Sequence, residues 1–213
     1  QSAPASGGSF VEGVISSDID SVDLGRLIKS GLTKISDQGE IAPDLAVSWT
    51  VSEDKLDYKF TLSDKVTSYE IVDQVKNTPT FLPNGQIQQV DEKTVNIHLS
   101  SPDSNLLYTI SQPIFPQGPF SVEKKTENEI RLKRNPNYHL SKPFIEKFTV
   151  RIYPDSASLQ KAANKNKITG AFDLSSSPKN WQSKELSLGK KHYLFLNSSK
   201  SSLKKTKVRE SIL

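Results

Sequence analysis

Asp18-Ile19-Asp20-Ser21-Val22 has the DxDxV spacing in which one aspartate can accept a phosphoryl group while the second works as acid and base. That chemistry needs the first carboxylate at the tip of an apolar strand, and a later lysine and acidic pair to hold magnesium. Here Ser16-Ser17 separates the aspartate from the strand, and only Glu185 and Glu210 follow Asp173. Helix capping suits these residues better, because the first turn of a helix leaves N–H groups in need of acceptors. His98, His139 and His192 are far apart, and none has a second ligand at helical spacing, so each is expected on a surface or strand rather than at a metal. Gly7-Gly8 precedes a strand instead of following one, which excludes a phosphate-cradling loop there. No serine sits in a nucleophile elbow. The sequence therefore nominates no catalytic residue, no metal ligand and no cofactor.

The elements that position these residues follow from period and punctuation. Residues 9–15 (SFVEGVI) alternate and predict a strand with Glu12 on its polar side. Ser16 to Asp20 reads as a loop. The spacing of Val22, Leu24, Leu27 and Ile28 predicts a helix with one apolar face, capped by Asp20 or Ser21 and ended by Gly31. Asp37-Gln38-Gly39 is a hairpin-type turn, residues 58–62 a strand, and residues 68–75 a short helix. Residues 90–99 give a turn followed by alternation. Gly118-Pro119 opens a strand over 120–124, Thr126-Glu127-Asn128 reverses the chain, and Ile130-Arg131-Leu132 alternates before an Asn-Pro-Asn-Tyr corner. A strand over 148–153, a helix over 156–163 capped by Asp155, a buried strand over 168–174, a strand over 192–197 and a helix start over 207–212 complete the order.

With 213 residues, 34% hydrophobic content and a mean hydropathy of −0.50, the chain has length for one large domain or two small ones. Its apolar runs exclude wholesale disorder, and none is long enough to span a membrane. The absence of cysteine excludes a disulfide framework and a thiolate zinc site. The opening Gln-Ser-Ala-Pro-Ala-Ser-Gly-Gly reads as a tether or an expression scar. Net charge is +4, with eight Lys/Arg against two Glu in residues 184–213. No aromatic residues interleave with the Lys204-Lys205-Thr206-Lys207 run, so it reads as solvated surface and no nucleic-acid partner is expected. Trp49 and Trp181 could stack on a ligand.

The ordered series of short motifs resembles the extracytoplasmic solute-binding proteins of peptide-type ABC importers, bacterial solute-binding protein family 5. The residues that carry the resemblance are Gly31-Leu32, Gly39, Pro43-Asp44-Leu45-Ala46, Ser48-Trp49, Tyr58-Phe60-Leu62, the Thr94-Val95 strand, Gly118-Pro119-Phe120, Arg134-Asn135-Pro136-Asn137-Tyr138, Asn197 and Val208-Arg209. The chain departs from the pattern in a shortened loop after the first strand, in the segment after Leu62, and in the segment ahead of Gly118. Beyond the start of a helix at residues 207–212, nothing in it matches the family's second lobe.

The resemblance implies a mixed α/β (α+β) fold: lobe I of a two-lobed periplasmic-binding-protein clamp with an inserted β-rich subdomain. Residues 1–8 would be a tether, 9–47 and 141–205 lobe I, 48–140 the insert rejoining near Pro143, and 206–213 the start of a second lobe. It implies binding of a peptide or other small solute, an ABC transporter permease as partner, and no catalysis. It also implies an extracytoplasmic location, periplasmic or cell-surface, with membrane association only through an anchor outside this chain. Trp49 falls where the family has a packing tryptophan. Ligands of such sheets sit beyond the carboxyl ends of strands, which selects Ser16, Ser17 and Asp18 after the first strand and Ser175, Ser176 and Ser177 after the strand at Phe172. The alternative is an extracytoplasmic interaction or structural domain that retains the scaffold without transporting a ligand.

Overall fold

The computed structural model describes residues 6–171, 174–179 and 181–182, without the side chains of Asp18, Asp20 and Ser21. The chain divides into two units, Gln1–Lys179 and Asn180–Leu213, and the first of them holds every strand and helix named below. The strand expected over 192–197, the helix start over 207–212, His192 and the lysine run lie outside the described residues.

Two sheets form around separate cores. The first has five strands in the order β11-β1-β10-β9-β8, where β1 is Ser9–Ile15, β8 Phe120–Lys125, β9 Glu129–Arg134, β10 Lys147–Tyr153 and β11 Gly170–Ala171. β1 runs parallel to both β10 and β11, with Ile15 level with Tyr153 and Gly13 with Ala171. β8 and β9 form an antiparallel hairpin on the far side of β10. Alternation explains β9: Ile130 and Leu132 are buried while Arg131 and Lys133 are exposed.

The second sheet has the order β4-β5-β7-β6, with β4 Ala46–Val51, β5 Asp57–Leu62, β6 Gly85–Asp91 and β7 Thr94–Leu99, all antiparallel. Tyr58, Phe60 and Leu62 of β5 and Val95, Ile97 and Leu99 of β7 point to one face and bury there. Helix α2, Ser68–Lys76, covers that core through Ile71 and Val75. Trp49 packs on Phe60 with ring centroids 6.2 Å apart, the packing role expected of it. A small hairpin, β2 Thr33–Ile35 and β3 Ile41–Pro43, turns at Gly39, whose φ of +82° suits glycine.

The hairpin of β8 and β9 is hydrogen-bonded to β10 and belongs to the first sheet. The Asn-Pro-Asn-Tyr corner fixes the return. Asn135 Nδ2 donates to the Gly118 carbonyl at 2.9 Å, and Asn135 Oδ1 accepts from the Asn137 N–H at 3.0 Å. Gly118 itself is pressed against the Ile28–Lys29 backbone and donates its N–H to the Ile28 carbonyl at 3.2 Å.

The region after β1 corrects the sequence reading. Ser16–Ser21 is a 3₁₀ helix, Val22 is extended, and the α-helix α1 covers only Leu24–Ile28. Its cap is Asp23, which accepts from the Arg26 N–H at 3.0 Å, rather than Asp20 or Ser21. Val22, extended rather than helical, is itself buried in the first core with Val14 and Phe120, and Leu24, Leu27 and Ile28 pack against it. Gly31 is no helix cap. The C-cap is the extended Lys29, and a side chain at Gly31 would meet the Ser111 carbonyl at 2.8 Å. α3 is a single turn, Leu106–Thr109, and α4 spans Ser156–Asn164 with Asp155 capping it as expected.

Candidate functional site

The parallel trio β1, β10 and β11 sends three strand ends out of the same edge of the first sheet. Beyond that edge lie Ser16 and Ser17 of the 3₁₀ helix, both exposed, and the turn from Pro154 to Ser156. Asp155 there accepts from the Ser158 N–H at 2.7 Å, a backbone bond that holds its carboxyl below the usual aspartate range. Asp18 lies within the 3₁₀ helix.

The chain leaving β11 follows a different course. Ser175 Oγ donates to Gln160 Oε1 at 3.0 Å, and the Ser176 N–H donates to the same oxygen at 3.2 Å. Gln160 Nε2 in turn donates to the Ser176 carbonyl at 3.0 Å. One glutamine amide thus holds both serines against α4. Ser175 joins Ser156, Gln160, Lys161, Asn164 and Lys165 around an open groove of about 560 Å³ on the solvent face of the helix. Ser177 is exposed beside it. Ser16 and Ser17 are not part of that lining.

The structure adds two buried polar groups that alternation did not reveal. Glu12, expected on the polar side of β1, is only 9% exposed. β1 is an interior strand covered on both faces, and such strands bury both sets of side chains. Gly13 faces Leu159 and Ile168 on the α4 side. Glu12 faces the opposite side with Val14 and Val150, and burial pushes its carboxyl above the usual glutamate range. The second group is His139, whose Nε2 lies 2.7 Å from Asp44 Oδ1 with the ring almost fully buried. His98 keeps the exposed strand position expected of it, 3.1 Å from Asp57.

The strand order defines a mixed α/β fold, three parallel strands extended by an antiparallel hairpin. The family model of bacterial extracellular solute-binding proteins, family 5 Middle, matches residues 71–213, more than half of the chain, and the chain belongs to that family. It is 25% identical to the probable D,D-dipeptide-binding periplasmic protein DdpA of Escherichia coli K12, over 81% of this chain and 43% of that protein. Its fold is similar to NikZ of Campylobacter jejuni, solved with Ni(L-His), at a TM-score of 0.68 and 18% identity over 76% of this chain and 43% of NikZ. It is also similar to the oligopeptide-binding protein AppA of Bacillus subtilis, solved with a nonapeptide, at 0.67 and 18% over 78% and 44%. The chain spans less than half the length of each of these relatives. The family is one of substrate-binding proteins rather than enzymes.

Proposed function

We propose that this chain is the first lobe of the solute-binding component of an ABC importer, working outside the cytoplasm on peptides. The observation that carries the reading is the joint finish of β1, β10 and β11 at one edge in a member of this family. The dipeptide in the name of DdpA and the nonapeptide of AppA support peptides over other solutes.

An extended peptide would lie along this edge and be closed over by a second lobe. Main-chain hydrogen bonds give affinity that depends little on sequence, while hydrated pockets tolerate varied side chains. Hinge closure around the peptide would present the loaded shape to a permease. In this reading Ser16, Ser17 and Asp18 contact the ligand from the end of β1, and Ser175, Ser176 and Ser177 flank it from the end of β11. Membrane association comes through an anchor rather than through these residues, none of whose described helices is long and apolar enough to cross a membrane.

Each lobe of a clamp holds part of the contacts, so residues 1–213 alone bind peptides weakly, while the intact protein binds them and co-purifies with a permease. Calorimetry with tri- and tetrapeptides on both forms tests this, and submicromolar binding by residues 1–213 alone overturns the two-lobe mechanism. An intact protein that binds no peptide is instead the interaction or structural domain consistent with the shortened loops.

A further inference from the structure

The face of the first sheet on which Gly13 meets α4 turns basic where the hairpin of β8 and β9 extends it. Residues in register on neighbouring strands share a face. On the side of Gly13 that register sets Lys147 against Lys133, Arg151 against Glu129, and Lys124 against Arg131. Glu129 is the one acid among these positions, and it pairs with both arginines, at 2.6 Å from Arg131 and 3.3 Å from Arg151. Lys124, Lys133 and Lys147 are exposed, and among the described residues none of them has an ion pair. Like charges directly opposite one another weaken a sheet, and this face keeps two such pairs, Lys133 with Lys147 and Lys124 with Arg131. A negatively charged partner laid on the face would relieve both.

The side chains that stay unpaired indicate the kind of partner. The planar forks of arginine suit specific pairing with carboxylates or phosphates, and both arginines here are already held by Glu129. The remaining cations are lysines, point charges on flexible stems that suit a diffuse anionic surface. A second observation stands at the Lys147 end of the sheet. Phe144 is 55% exposed although its backbone is fastened. Its carbonyl accepts from the Gly7 N–H at 2.7 Å, and the neighbouring Pro143 carbonyl accepts from Arg134 Nη1 at 3.2 Å. A ring mounted in water near lysines fits the boundary between lipid headgroups and acyl chains. We propose that this face, through Lys124, Lys133, Lys147 and Phe144, docks on an anionic lipid bilayer. Lys147 begins β10 and Tyr153 ends it, roughly 20 Å further on at the rise of a strand. A bilayer met at the Lys147 end therefore leaves the far edge of the sheet, at Ile15 and Tyr153, open to solute. The inference goes beyond the solute-binding reading and holds whichever solute is carried.

The experiment sediments the intact polypeptide, carrying no lipid of its own, with vesicles of phosphatidylcholine and with vesicles of equal parts phosphatidylcholine and phosphatidylglycerol. Wild type is expected on the anionic vesicles and not on the neutral ones, and is released as salt is raised. Lys133→Gln combined with Lys147→Gln should bind about 25-fold more weakly, at about fivefold for each lysine near the surface. Phe144→Ser should bind roughly tenfold more weakly through lost apolar burial. The double exchange removes a like-charge pair, so it should melt at or above wild type; a lower melting temperature shows that the lysines hold the fold together and overturns the proposal. Lys65→Gln combined with Lys76→Gln, two exposed lysines outside the first sheet, gives the same net charge and should keep most of the binding. Equal losses in the two double variants overturn the proposal, because net charge alone then explains them. Equal binding to neutral vesicles, no binding to anionic ones, or wild-type binding by the Lys133/Lys147 or Phe144 variants also overturn it. Capture on polyglutamate beads without binding to anionic vesicles assigns the face to an acidic protein instead and overturns the lipid partner.

Discussion

His139 donates from Nε2 to Asp44 Oδ1 across 2.7 Å, and the two side chains are 1% and 8% exposed. The second carboxylate oxygen of Asp44 accepts from the Gly31 N–H at 3.0 Å. One acid thus ties the chain after α1 to the loop that follows β9, two segments 95 residues apart at the His139 contact. Tyr138 packs its ring edge-on to His139 with centroids 4.8 Å apart, and burial followed by the charge of Asp44 pushes its hydroxyl above the usual tyrosine range. His139 Nδ1 has no hydrogen-bond partner among the described residues, so the strength of the pair lies wholly on the Asp44 side.

Removing one partner from a buried pair of this kind strands the other, which costs about 3–5 kcal/mol. Asp44→Ala is expected to lose that much stability in urea unfolding. The double variant with His139→Ala should lose less than the sum of the two single changes, by about 1–3 kcal/mol. Strictly additive losses would show that the two side chains act independently.

Glu12 makes stability depend on pH with a definite sign. Its folded-state carboxyl titrates above the usual glutamate range because of burial, so the stability contributed by its neutral form is complete below the unfolded value and is lost as pH rises through the folded one. Glu12→Gln should therefore match wild type near pH 4 and exceed it near pH 7, pH values set by the ordinary glutamate pKa of about 4.3. Melting temperatures of both proteins across that range check it. A gap that widens toward acid would reverse the sign and refute the assignment.

Two glycines separate crowding from backbone strain. A side chain on Gly118 would run into the Ile28–Lys29 backbone and break the bond from the Gly118 N–H to the Ile28 carbonyl, so Gly118→Ala should cost about 3 kcal/mol or more. Gly39 has open space around it and only its φ of +82° to defend, so Gly39→Ala should cost about 1–2 kcal/mol. Chemical denaturation of the two variants gives the comparison directly.

Thr67 caps α2 reciprocally with Glu70. The Thr67 N–H donates to Glu70 Oε2 at 2.7 Å, and the Glu70 N–H donates to Thr67 Oγ1 at 3.3 Å. Thr67→Ala should lower stability by about 1 kcal/mol, seen as a lower urea midpoint at unchanged slope.

Where one face of a strand meets a core and the other meets water, the sequence was legible: β5, β7 and β9 alternate as Tyr58-Phe60-Leu62, Val95-Ile97-Leu99 and Ile130-Leu132 require. The α4 cap at Asp155 was equally plain, and the family order of motifs agrees with the family found. Glu12 was misread because alternation assumes one wet face, whereas β1 has a strand on either side and cover on both faces. A spacing of Val22, Leu24, Leu27 and Ile28 fits a helix, but 3₁₀ winding through Ser21 supplies the same burial with a shorter helix. His139 carried no local signal, since its partner is fixed by a contact 95 residues away. The Thr67 to Glu70 spacing is that of a capping box and marks the start of α2 more firmly than its apolar spacing does. Sheet membership of the hairpin at residues 120–134 depended on β10, which no local pattern reveals.

The place of β1 between β10 and β11 also sets a timetable. The four-stranded sheet is built from residues 46–99, all within one stretch of chain, and its hairpins β4–β5 and β6–β7 have short connections, so it can assemble early. β1 precedes every other described strand in the chain, yet its partners begin at Lys147 and Gly170. At roughly 5–20 residues per second, an apolar strand carrying one acid waits on the order of ten seconds for its neighbours. During that interval its unpaired edges are open to any other extended chain. Glu12, charged and hydrated until the sheet closes, is then a guard against premature strand pairing as the chain is made.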